Sequence, residues 1–254
     1  MIKRILFLIL LFGACSAGQF WVTILGYHKV MPVPQHNYDI STVEFEQQMN
    51  FIKDSYKIIS LADLQRKIEK NEPLEGNSVV VTIDDGDKSI YTYAHPILKK
   101  LNIPYTFFIY TDVATERRAV TWKELIELSK DGVTIGSHTI THCHLNRRLA
   151  GETPEEYAKR VVKELQGSKK ILEERLNLPV NTIAYPYGEF NDFVEKQTKD
   201  AGYELIFTTR YGRNYPPIDK YRLKRIMIFK DTSIEDFINL FTYIDKKKAV
   251  KPAN

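Results

Sequence analysis

The sequence predicts a parallel α/β domain that winds like a barrel, and three observations carry that prediction. Short, solid apolar runs such as Val79-Val80-Val81 alternate with amphipathic stretches, as expected of strands covered by helices on both faces. The amphipathic stretches open on helix-start signals. Polar, reactive residues fall just after the apolar runs, at the strand ends where such folds carry their chemistry.

Taken in order, the strand candidates are residues 21–26, 56–60, 78–83, 105–110, 133–136, 182–185, 204–208 and 225–229. Between them, Ser41 with Glu44, Thr121 with Glu124, and Thr153 with Glu156 each fit a capping box. In that arrangement a hydroxyl and an acid satisfy free N–H groups of the first turn, and Pro154 suits the first helical position. Asp131-Gly132 and Gly202 supply stops. No repeat, low-complexity tract or composition break marks a linker, so residues 20–254 are expected to form a single domain.

Residues 1–19 read as a leader. Lys3 and Arg4 precede an apolar run over residues 5–12, too short to cross a bilayer, and small residues follow from Gly13 to Gly18. Phe12-Gly13-Ala14-Cys15 also resembles a bacterial lipoprotein signal ending before Cys15. The expected location is therefore outside the cytoplasm, as a periplasmic protein, an envelope lipoprotein or a secreted one. Cys143 is the only other cysteine, so an intramolecular disulfide is not expected and stability rests on the core. A hydrophobic content of 43% and a net charge of +4 suit a soluble globular chain. No basic stripe interleaved with aromatics is present, so no nucleic-acid partner is expected. A monomer is expected, touching a membrane only through a lipid on Cys15.

Four strand ends carry reactive side chains: Tyr27-His28, Asp84-Asp85, Ser137-His138-Thr139-Ile140-Thr141-His142, and Tyr185-Pro186-Tyr187-Gly188. The adjacent acids read either as a surface Asp-Asp-Gly turn or as a division of labour, one on a metal and one free for proton transfer. Extended chain points successive side chains to opposite faces, so the two acids need not share a partner. His138 and His142, four apart, can bring two imidazoles to one side. Two histidines and a carboxylate suit zinc or another divalent transition metal and leave positions open. Thr139 stands where the zinc-protease helix needs Glu, which excludes that reading. Cys143 reads as packed or inert, His144 as a loop residue, and His36 and His95 as structural or solvent-exposed.

Thr82-Ile83-Asp84-Asp85-Gly86, Ser137 to His142, and Ala184-Tyr185-Pro186-Tyr187-Gly188 together resemble the polysaccharide deacetylases of carbohydrate esterase family four. The resemblance implies a distorted (β/α) barrel of about seven strands. It implies Asp85, His138 and His142 as ligands of one divalent metal, zinc with cobalt or nickel as alternatives. It also implies Asp84 as catalytic base and the Tyr187 N–H as an oxyanion donor. Leu25-Gly26-Tyr27-His28-Lys29-Val30 is similar to the opening motif of the poly-N-acetylglucosamine deacetylases, a circularly permuted branch in which the general acid comes from the N-terminal strand. No histidine follows His144, which leaves His28 for that role. The partner implied is an N-acetylated glycan, poly-N-acetylglucosamine first, with peptidoglycan or chitin oligosaccharides, or a silent carbohydrate-binding protein, as alternatives. Tyr27, Tyr185 and Arg225 are the candidate substrate contacts, and Tyr187 and Trp122 further candidate platforms. Ala184 stands where many members place an Arg on the base, and Arg225 is the candidate substitute. Ile83 replaces the usual Phe, and Asp87 adds a third acid.

Overall fold

The computed structural model describes residues 20–115 and 118–249. The expected leader and Cys15 lie outside the described residues. The strands are β1 (Val22–Tyr27), β2 (Lys29–Met31), β3 (Asp39–Ser41), β4 (Lys57–Ile58), β5 (Ser78–Ile83), β6 (Tyr105–Ile109), β7 (Thr134–Ser137), β8 (Thr182–Ala184), β9 (Leu205–Phe207) and β10 (Ile226–Met227). The helices are α1 (Thr42–Ser55), α2 (Leu61–Glu69), α3 (His95–Leu101), α4 (Trp122–Lys130), α5 (Pro154–Leu176), α6 (Asp192–Asp200) and α7 (Ile234–Ala249). The expected strands are present within a few residues. The pair β2–β3 is additional, two three-residue strands around a Pro-containing loop, too short for any periodicity to announce.

The principal sheet is parallel, in the order β10-β1-β5-β6-β7-β8-β9, with β4 on β5. Its two edges are joined by one stretch of chain. Leu223 exchanges backbone hydrogen bonds with Ile206 and Thr208 beside β9, and a few residues later Ile226 and Met227 pair with Leu25 and Gly26 of β1. The sheet therefore curls into a barrel closed by residues 223–227, the parallel α/β form expected.

Alternate strand residues fall into two apolar clusters, as a period of two requires. Val22, Ile24, Val80, Phe108, Ala184, Leu205 and Phe207 form the inner one, which Leu61 and Leu64 of α2 join. Leu25, Tyr27, Val81, Ile83, Phe107, Ile183 and Tyr185 belong to the outer one, packed against α1 and α3–α7. All three expected capping boxes are formed, at Ser41, Thr121 and Thr153.

Candidate active site

Register brings the reactive residues together. Tyr27 pairs with Ile83, so His28 and Asp84 leave the sheet side by side. Ile109 pairs with Ser137, and the His138 N–H donates to the Ile109 carbonyl at 2.7 Å. A cavity of about 370 Å³ at these strand ends is lined by His28, Asp84, Asp85, His138, His142 and Tyr187. A larger cleft of about 810 Å³ between α3 and α4 lies apart from them; its acids, such as Glu127 and Asp131, are tied to Tyr91, His95 and Lys99.

The two adjacent acids reach one cavity because the chain stops being extended between them. Asp85 has φ of 77°, which cancels the strand's alternation. Thr139 (72°), His142 (57°) and Tyr187 (59°) also adopt this left-handed conformation, which side chains with a Cβ rarely occupy. The other such non-glycine residues among those described are all asparagines, Asn71, Asn102 and Asn177, which tolerate it at helix ends. Strain of this kind persists where the surroundings enforce it. In the histidine loop, between Thr139 and His142, Glu164 of α5 is the enforcer. Its buried carboxylate accepts from the N–H groups of Ile140 (2.8 Å) and Thr141 (3.0 Å) and from the Thr141 hydroxyl (2.9 Å).

Asp84 is buried and gripped at both oxygens by the Arg225 guanidinium, each contact at 2.8 Å. Arg225 is fully buried and also donates to the Thr208 carbonyl at 3.0 Å and the Thr82 hydroxyl at 3.2 Å. Burial alone would raise the Asp84 carboxyl; the charges of Arg225 and His138 outweigh it and hold the group below its usual range. Burial likewise opposes charge on Asp85, yet contact with His138 holds that carboxyl low.

The fit of this cluster to a metal rests on Asp85. Its Oδ1 is buried with no hydrogen-bond partner and stands 3.4 Å from Nε2 of both His138 and His142. Three ligand atoms about 2.1 Å from one tetrahedral centre stand about 3.4 Å apart. The His138 Nδ1–H donates to the Ala184 carbonyl at 2.7 Å, which leaves Nε2 free to ligate. Burial and the neighbouring His138 push His142 down to about 4, so it is a neutral imidazole at physiological pH, as ligation requires. Burial would lower His138 as well, but Asp85 and Asp84 raise it, so a proton competes for that ring.

A family model for polysaccharide deacetylases matches residues 71–206, the stretch that holds both acids and both histidines. The chain belongs to the polysaccharide deacetylase family. The poly-β-1,6-N-acetyl-D-glucosamine N-deacetylase of Staphylococcus aureus is 31% identical over 202 residues, covering 77% of this chain and 69% of that one. Among solved structures, the Streptococcus pyogenes deacetylase PplD in complex with acetate is 26% identical with a TM-score of 0.77, covering 87% of this chain and 98% of that one. IcaB from Ammonifex degensii is 25% identical with a TM-score of 0.77, covering 88% and 97%. The protein is thus a polysaccharide N-deacetylase, a hydrolase of amide bonds.

Not every residue singled out in the deacetylase's sequence lies in its cavity. Tyr27 points outward, packs edge-on against Phe45, and donates its hydroxyl to Gln48 at 2.8 Å. Tyr185 touches the cavity wall, but its ring is buried against Phe190 and its hydroxyl donates to Thr198 at 2.8 Å. Both fall on the outer phase of their strands, so neither is a sugar platform. Arg225 is sealed beneath Asp84 and holds that carboxylate; it does not line the cavity as a substrate contact. Trp122 lies on α4 under Arg175. Asp87 is tied to Lys29 at 3.4 Å and to the Ser89 N–H at 2.8 Å.

Tyr187 is exposed at the rim, its ring stacked on His144 with centroids 4.1 Å apart, and His144 meets Glu189 at 2.9 Å. His144, read as a plain loop residue, is therefore a prop for the Tyr187 loop. Next to it, a Cβ on Gly188 would collide with the side chain and backbone N of Thr209, and Gly188 has φ of 69°. His28 is partly buried, with its Nδ1 enclosed and unpartnered. Burial lowers its pKa, against the opposing pull of Asp84 and Asp85.

Proposed function

We propose that this deacetylase hydrolyses N-acetyl groups of a poly-N-acetylglucosamine outside the cytoplasm, releasing acetate and leaving glucosamine in the polymer. The observation that carries the reading is a cavity shared by Asp85, His138 and His142, an arginine-held carboxylate and a separate histidine. The polymer follows from the S. aureus relative, named for its action on poly-β-1,6-N-acetyl-D-glucosamine. The location follows from the leader-like residues 1–19 and from the nature of that polymer. Cys15 would supply a lipid anchor if its signal is processed that way.

Asp85, His138 and His142 would hold a divalent ion, zinc with cobalt or nickel as alternatives, which when bound would supply Lewis-acid polarisation of the acetyl carbonyl and lower the pKa of the attacking water. Asp84 takes the proton from that water, its tie to Arg225 keeping it ionised and aimed. The N–H of Tyr187 donates to the oxygen that gains charge, a contact class worth about 3–4 kcal/mol. His28 gives a proton to the departing sugar nitrogen, which leaves poorly as an anion. Water adds across the amide bond: hydroxyl to the acetyl carbon, hydrogen to the nitrogen.

The test is acetate release from poly-N-acetylglucosamine, peptidoglycan and chitin oligomers, before and after chelation, with add-back of zinc, cobalt or nickel. Release should be fastest from poly-N-acetylglucosamine, stop on chelation and return with metal. No release from any of the three refutes the reading. Faster release from peptidoglycan or chitin oligomers refutes the polymer assignment alone.

A further inference from the structure

Two aromatic side chains outside every sequence motif, Tyr38 and Phe229, line the same cavity as Asp84 and His28. Both are left exposed, at 51% and 44%. Their rings lie 5.5 Å apart at 46°, and the Tyr38 ring lies 4.5 Å from that of His28. Loose loops do not account for the exposure. The buried Asp39 carboxylate accepts the N–H groups of Gln35 and His36, each at 2.8 Å. The Lys29 N–H donates to the Tyr38 carbonyl at 3.3 Å, and the Lys230 N–H donates to the Asn37 carbonyl at 2.8 Å. The Phe229 N–H donates to the Thr232 hydroxyl at 3.2 Å. The two loops are thus stitched together and hold both rings at the cavity mouth. Adjoining apolar rings kept in water beside a reactive centre mark a surface that a ligand covers.

The occupant follows from ring chemistry. An N-acetylglucosamine pyranose carries its substituents equatorially, so each face of its ring is a sheet of C–H groups. Such a face covers an aromatic ring as another apolar group would, while the hydroxyls stay at the edge. We propose that Tyr38, backed by Phe229, is the platform for the sugar ring that bears the scissile acetamide, and so a specificity-determining residue of the site. This rests on the deacetylase reading above. Because the Tyr38 ring meets the His28 ring, a sugar seated on it lies next to the proposed proton donor.

The test compares two acetyl donors with the metal-loaded full chain: soluble N-acetylglucosamine oligomers, and vinyl acetate, which has no ring to stack. Tyr38→Ala should raise KM for the oligomers more than it lowers kcat. The ratio of kcat/KM on oligomers to that on vinyl acetate should fall about tenfold. Tyr38→Phe keeps the ring and should restore the ratio. Since the ratio is independent of how much protein is folded, a poorly folding variant still reports. An unchanged ratio in Tyr38→Ala, or a Tyr38→Phe as impaired as Tyr38→Ala, overturns the platform and leaves the deacetylase reading standing. A wild-type protein that releases acetate from neither donor overturns both.

Discussion

Replacing Arg225 by Met keeps an unbranched apolar stem and removes the guanidinium with its charge. Asp84 then loses both of its 2.8 Å donors, and the Thr208 carbonyl loses one at 3.0 Å. Hydrogen bonds to a charged group contribute about 1.5–3 kcal/mol each, and breaking a buried pair from one side typically costs about 3–5 kcal/mol. For a chain of this length that is a fall in Tm on the order of 10 °C. The cost also has a pH signature. In the wild type the Asp84 carboxyl is held below its usual value, so the pair's contribution is complete above about pH 4 and fades only in stronger acid. In Arg225→Met, burial is opposed only by the charges of His138 and His28, so that carboxyl should rise from its wild-type position and the deficit should shrink as pH falls. Urea titrations across pH 5–8 measure this as a shift in midpoint with unchanged slope. The double variant Asp84→Leu/Arg225→Met carries neither charge and should recover most of the stability lost by Arg225→Met, without activity. A single variant within about 1 kcal/mol of wild type at neutral pH, or a double variant no better than the single, would refute this account of the pair.

Three further outcomes follow from the site. Asp84→Asn should lower kcat by about 10²–10⁴-fold while metal content by mass spectrometry stays intact; full activity with bound metal would remove Asp84 as base. His138→Ala should lose both the metal and the activity, since Nε2 of that ring stands 3.4 Å from Asp85 Oδ1; retained stoichiometric metal would remove it from the ligand set. Gly188→Ala forces a Cβ into Thr209 and into a left-handed backbone. It should cost about 1–3 kcal/mol and lower kcat by displacing Tyr187, and wild-type kinetics would count against the role given to that loop.

The barrel was legible because parallel strands covered on both faces carry solid apolar runs, as Val79-Val80-Val81 does within β5. The helix starts were legible because capping is local chemistry. The strand-end rule led to the residues of the cavity. What it could not give was the face each residue takes. Tyr27 and Tyr185 abut reactive neighbours in sequence but sit on the outer phase, which the alternation of Leu25-Gly26-Tyr27 already encodes once the inner face is known. Asp85 runs the other way, because a left-handed residue resets the alternation without a glycine to announce it. Glu164 did leave a trace, being an acid on the same stripe as Val161, Leu165, Ser168 and Leu172 of α5. A charge in an apolar stripe asks for a partner, and the partner is the histidine loop. Tyr38 and Phe229 left none, since they come from loops whose meeting is purely tertiary.

The stretch that closes the barrel has a consequence for how activity is acquired. Asp85, His138, His142 and Asp84 are all translated well before Arg225, which arrives with the closing segment itself. A polypeptide short of that point has the proposed ligands and base but no counterion beneath Asp84 and no seam between its two edges. On the mechanism proposed above, the residue that keeps the base ionised is carried by the segment that shuts the ring, so a barrel lacking its seam also lacks the counterion of its base.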